Sequence, residues 1–168
     1  MNFQQHYRLA DDMIQHLNTV MSSINDPFIS SRYVGFVTIA AVTVFELALK
    51  DIFIDFAVKK NKVFGTFTEG HFDKINGRIR NENIKNDYIK KFGDKYLDRY
   101  KKKIDQVEEE TLQIERISIK NSYQNLITWR NEFAHAGQIP TNVTYNEAVQ
   151  AYEIGKRLIQ CVADTMNR

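Results

Sequence analysis

The sequence predicts an all-α fold, a bundle of about five helices, and three observations lead there. Only seven glycines and two prolines punctuate 168 residues, too few breakers for the many turns of a β-sandwich. Apolar residues return at intervals of three and four along most of the chain, the period of an amphipathic helix. Hydrophobic residues make up 43% and charged residues 26%, the balance of a chain that buries a core rather than a disordered one. A single domain over 1–168 is expected, since no repeat, low-complexity segment or linker interrupts the pattern.

The elements follow in order. Phe3, Tyr7, Ala10, Ile14, Leu17, Met21 and Ile24 make one apolar stripe, which Asn25-Asp26-Pro27 ends. Such a stripe wants a partner helix, in the same chain or in a second copy. From about Ser31 to Lys60 the chain is apolar on nearly every side, with Val34, Phe36, Val37, Ile39, Val42, Phe45, Leu49, Phe53 and Phe56 among its residues. A membrane span is the rival reading. Glu46, Lys50, Asp51 and Asp55 oppose it, because a charge near the middle of a span costs on the order of 3 kcal/mol. The segment is expected as the central, most buried helix.

Residues 61–70, with Gly65, Thr66, Thr68 and Gly70, read as a loop, and His71 to Gly93 as a polar, asparagine-rich run of short helices. Tyr96, Leu97, Tyr100, Ile104 and Val107 restore helical spacing, and Glu108-Glu109-Glu110 reads as a solvated turn or helix end. The next helix carries Ile119, Tyr123, Leu126, Ile127, Phe133 and Ala134 inward and stops near Gly137, with Pro140 in the connection beyond. Thr144-Tyr145-Asn146-Glu147 has the form of a capping box. It opens a last helix with Ala148, Val149, Tyr152, Leu158, Ile159 and Val162 facing the core.

Composition also excludes several function classes. Net charge is +2, from 23 basic and 21 acidic residues, so any polyanion site must come from local clustering. Cys161 is the only cysteine, which rules out an internal disulfide and a thiolate-rich zinc site. His6, His16 and His71 fall in no metal-binding spacing, so neither metal nor cofactor is expected. There is no glycine-rich phosphate loop to support a kinase or ATPase. The start shows no basic stretch leading into an apolar one, so a cytoplasmic location is expected.

One segment carries chemistry: Trp129-Arg130-Asn131-Glu132-Phe133-Ala134-His135-Ala136-Gly137. Asn131 and His135 are four apart and share a helix face, and the adjacent Arg130 can reach round to them. A cation, an amide and an imidazole suit phosphodiester cleavage in RNA. Histidine exchanges protons near neutral pH and can take one from the ribose 2′-hydroxyl. A planar guanidinium stabilises charge gathering on the phosphate oxygens. With 9 arginines, 14 asparagines and 4 histidines, the spacing Arg-Asn-x-x-x-His would arise by accident about 0.02 times. The competing reading is an ordinary helix terminus.

Arg130-Asn131-x-x-x-His135, late in an all-α domain after a hydrophobic central helix, resembles the HEPN superfamily, in particular its RiboL-PSP type. Phe45-Glu46, Ile75 to Asn81 ahead of Phe92-Gly93, and the closing amphipathic helix are similar as well. The resemblance implies a metal-independent endoribonuclease that leaves a 2′,3′-cyclic phosphate and a 5′-hydroxyl. It implies a homodimer in which two motifs face each other across a two-fold axis. It places the chain among toxins and phage-defence effectors, with RNA as substrate and an antitoxin or other regulatory protein as a further partner. Arg130, Asn131 and His135 are the expected catalytic set. The alternative within the family is an inactive module that binds RNA or a partner protein, and a purely structural helical adaptor is the reading from outside it.

Two further features are weighed. Glu46 is an auxiliary candidate, a carboxylate on an apolar helix that needs a cation such as Arg130; a structural salt bridge is the plain alternative. Residues 85–103 hold eight cations against Asp87, Asp94 and Asp98, with Tyr88, Phe92, Tyr96 and Tyr100 interleaved. The segment could track an RNA backbone. Core packing of the aromatics under a solvated charged face is favoured.

Overall fold

The protein is described from a computed structural model covering residues 2–24, 26–72, 75, 77–138 and 142–167. Asn25, Asn76 and Pro140, which figure in the sequence reading, lie outside the described residues. Helices dominate, and no strand occurs among the described residues. A 3₁₀ turn, Phe3–His6, leads into α1 (Tyr7–Met21), followed by α2 (Pro27–Lys60), α3 (Lys62–Phe72), the single turn α4 (Asn81–Asn83), α5 (Asp94–Glu115), α6 (Ile119–Ala136) and α7 (Tyr145–Met166). A π-helical turn, Ile84–Tyr88, and a 3₁₀ turn, Ile89–Phe92, join α4 to α5. The five long helices are the five expected, α4 and the two turns after it fall in the run of short helices expected before Gly93, and α3 is additional.

Helix α2 is the axis of the bundle, 34 residues long and packed against α1, α3, α6 and α7. Asp26 caps it by accepting from the Phe28 N–H at 2.8 Å, and Pro27 opens its first turn, where a missing N–H costs nothing. Phe45, fully buried, stacks on Tyr123 of α6 and Tyr152 of α7 with centroids 5.5 and 5.6 Å away. Close approach is set by Gly155, where a Cβ would fall 2.9 Å from the Phe45 ring. One continuous apolar cluster runs from Phe3 to Met166. Among the described residues, no helix is long and apolar enough to cross a membrane.

The reading of 61–70 as a loop is corrected. Asn61 alone breaks the chain, in an extended conformation, and its side-chain oxygen caps α3 by accepting from the Val63 N–H at 2.8 Å. Gly65 is not a turn residue: a Cβ there would come within 2.5 Å of Val58 Cγ2, so glycine lets α3 fold back onto the end of α2. The three glutamates at 108–110 are likewise neither a turn nor a helix end but lie inside α5. Glu108 accepts from the Ser118 hydroxyl at 2.5 Å and the Lys120 N–H at 3.0 Å, which fastens α5 to the first turn of α6. Ala134, expected inward, is exposed, because α6 runs past the edge of the core at that point.

The basic segment divides as the packing reading expects. Tyr88 and Tyr100 are buried, Phe92 and Tyr96 pack against the core, and Phe53 stacks on Phe92 at 5.6 Å. Lys90, Lys95, Lys101 and Lys102 stay at the surface.

Candidate active site

Both caps of α6 are set by sequence. Ser118 accepts from the Asn121 N–H at 3.1 Å, and Gly137 ends the helix in the left-handed conformation at φ 62, a backbone state glycine adopts at little cost. His135 therefore occupies the last turn and is exposed. Phe133 anchors this end of α6 to α2. It lies over Gly35, where a Cβ would overlap its ring, and meets Phe36 edge-on at 5.9 Å.

Arg130 gathers the cluster. Its Nη1 donates to Asn131 Oδ1 at 3.0 Å and lies 3.3 Å from His135 Nε2. In the neutral ring that nitrogen is the acceptor, which puts the ring proton on Nδ1. Its Nη2 lies 3.9 Å from Glu46 Oε1, with the two side chains 22% and 18% exposed. An ion pair this long, at a site still open to water, contributes under about 1 kcal/mol. Glu46 makes a shorter bond elsewhere, accepting from the Gly77 N–H at 2.8 Å. Glu46 is thus a strut between α2, Arg130 and the backbone at Gly77. Asn131 reaches the guanidinium, not the imidazole.

The backbone from Gly77 to Asn81 forms the far wall, which the sequence reading gave no role at the site. Gly77 is left-handed at φ 76, and a Cβ on it would lie 3.4 Å from Arg130 Nη1. Three tyrosines hold the wall. The hydroxyls of Tyr88, Tyr123 and Tyr100 donate to Arg78 O, Ile79 O and Asn81 Oδ1, each at 2.8 Å. Burial raises all three phenols, so they remain protonated donors. For Tyr88, Asp87 and Glu46 add to the rise while Arg78 opposes it. A buried tyrosine must find a partner, which was the available signal; the identity of the partner was not readable from spacing. Arg78 and Arg80 are exposed on this wall. Among the described residues, no group of three or more His, Cys, Asp or Glu is arranged to hold a metal.

A family model described as RiboL-PSP-HEPN matches residues 5–168. The chain belongs to the RiboL-PSP-HEPN family. No curated protein and no solved structure matches it. Membership of a HEPN family ties the fold to RNA-related function, and the Arg130–His135 cluster lies within the matched region.

Proposed function

We propose that this HEPN protein is a homodimeric, metal-independent endoribonuclease whose catalytic residues are Arg130, Asn131 and His135. The observation that carries the reading is the 3.3 Å approach of the Arg130 guanidinium to the His135 imidazole, with His135 open to solvent. In the reaction the ribose 2′-oxygen loses its proton and bonds to the adjacent phosphorus. The bond from phosphorus to the 5′-oxygen breaks, and that oxygen takes up a proton. A 2′,3′-cyclic phosphate and a 5′-hydroxyl result.

One imidazole removes the first proton and a second, from the other protomer, supplies the last. Arg130 stabilises the negative charge on the phosphorane oxygens. Asn131 and Glu46 hold the guanidinium in place, with Glu46 a positioning residue. Dimerisation is supported by an unpartnered apolar face of α2. Phe36 and Ile39 are 49% and 36% exposed, and Phe36 touches Phe133 beside the site. A second copy covering that face brings the two motifs together.

The test is cleavage of a mixed single-stranded RNA with end-group analysis. His135→Ala is expected to lower the rate about 10²–10⁴-fold, and Arg130→Ala about 10²–10³-fold, with helical content and dimer mass unchanged. Wild-type rates in both variants, with a chelator present, would refute the proposal. Binding without product would leave an RNA-binding HEPN module. In a bacterial host, growth arrest by the wild type and its relief by His135→Ala would extend the reading to a toxin or defence effector restrained by an antitoxin-like protein.

A further inference from the structure

The polar surface around Arg130 does not end at the cluster. On α6, Asn121, Gln124, Thr128, Asn131 and His135 follow at spacings of three and four, so they share one face for roughly 20 Å at the α-helical rise. The Gly77–Asn81 wall runs beside this face in the opposite direction. Gly77 adjoins Arg130, Ile79 accepts from Tyr123, and Asn81 shares the lining of one groove with Asn121 and Gln124 at the far end. There the two elements open into a groove of about 450 Å³, lined by the amides of Asn81, Asn121 and Gln124, the cations Lys85, Lys101 and Lys120, and the carboxylates Glu82 and Asp105.

The chemistry of that groove is specific. Asn81 Oδ1 is taken by the hydroxyl of the fully buried Tyr100 at 2.8 Å, which fixes the amide orientation and leaves its Nδ2 donors for the groove. Gln124 Nε2 is directed to Thr128 at 3.5 Å, leaving its Oε1 as an acceptor. Lys85 is paired with Glu82 at 2.5 Å and Lys120 with Asp105 at 2.6 Å, whereas Lys101 has no carboxylate partner among the described residues. A single uncompensated cation beside an oriented donor and an acceptor matches one nucleotide: a phosphodiester and a neutral base edge.

We propose that this groove is a nucleotide subsite that reads one base of the RNA strand away from the scissile phosphate. A donor from Asn81 and an acceptor from Gln124 complement a base edge on which a ring nitrogen stands next to an amino group. Adenine and cytosine present that pattern on their Watson–Crick edges; guanine and uracil present the reverse there. Lys101 takes the attached phosphate. The inference rests on the reading that RNA crosses Arg130 and His135.

The experiment uses the full chain carrying His135→Ala, so that RNA stays intact, and measures anisotropy with fluorescent oligoadenylate, oligocytidylate and oligouridylate. Oligoadenylate and oligocytidylate are expected to bind about tenfold tighter than oligouridylate, the effect of one good base contact. Asn81→Ala with Gln124→Ala erases the difference, and Tyr100→Phe, by freeing the Asn81 amide, weakens it. Lys101→Ala, at an exposed position, lowers affinity for all three and reduces the salt dependence. Equal binding of the three RNAs, or variants indistinguishable from the parent, overturns the subsite. Wild-type cleavage is scored separately by end groups. Base preference without cleavage keeps the subsite and removes the nuclease reading, and cleavage without preference does the reverse.

Discussion

Two regions of this HEPN protein combine cations with aromatic rings and use them in opposite ways. In 85–103 the rings turn inward, with Tyr88 and Tyr100 buried, and the cations disperse. Lys91 meets His71 at 3.2 Å and Lys103 meets Asp164 at 2.8 Å, while only Lys85 and Lys101 reach the groove beside α4. At 130–135 the cation itself turns inward and collects Asn131, His135 and Glu46 around one guanidinium. Cation-rich composition alone gives a solvated face. Cation, amide and imidazole gathered against one wall give the cluster proposed above as the site.

The largest effect that could break this contrast is at Arg130. Arg130→Lys keeps the charge but loses the planar fork whose Nη1 serves Asn131 and His135 while its Nη2 faces Glu46. RNA cleavage is expected to fall about 10²-fold, measured as kcat/KM on a defined oligonucleotide. Replacing both Lys90 and Lys95 with alanine changes phosphate attraction only, and should leave that value within about threefold at moderate salt. Comparable losses in the two variants would mean that net charge, not convergence, governs the reaction.

Next in size is the seat of Phe133. Gly35→Ala introduces a Cβ that overlaps the Phe133 ring, and strain of this kind costs about 1–3 kcal/mol. The expected outcome is a lower denaturation midpoint in urea and a loss of cleavage larger than the stability change explains, since the end of α6 must shift. A variant with reduced stability and full activity would uncouple Phe133 from the site. Glu46→Gln is milder: the amide oxygen can still accept from Gly77 N–H, so kcat should drop severalfold with KM nearly unchanged. Glu46→Ala, which leaves that N–H unpaired, should cost more on both counts.

How much of this was legible in the sequence varies with the physics involved. Gly137 and the Thr144–Glu147 box act locally, and the end of α6 and the start of α7 were readable from them, whereas Ser118, a cap of the same local kind at the start of α6, was not singled out. Arg130, Asn131 and His135 were legible because Asn131 and His135 share a helix face and the long Arg130 side chain beside them can reach round to both. Gly65 misled, since its role is a contact with Val58, a long-range fact that looks like a turn signal in one dimension. Asn61 was the missed clue: its cap on α3 is a local signal of the same kind as Thr144. The Gly77–Asn81 wall depends on tyrosines as far as 44 residues away, and no periodicity encodes such a pairing.

The smallest expected effects lie in α7, the region most remote in character from the site. Burial pushes the Cys161 thiol up to about 11, so at pH 7 it should stay unmodified by a thiol reagent until the protein unfolds. Thr144→Ala removes the cap of α7 and should cost about 1 kcal/mol, read as a fall in Tm of about 2–4 °C with cleavage unchanged. The Thr144 N–H and hydroxyl hold the Glu147 carboxyl below its usual range, so Glu147 binds its proton less readily in the folded state. Its contribution is therefore present above the ordinary carboxylate value, about 4.3, and is lost as pH falls through the depressed one. The gap between wild type and Thr144→Ala should accordingly narrow on acidification, and a gap independent of pH would assign the cap's stability to the hydroxyl–backbone bond alone.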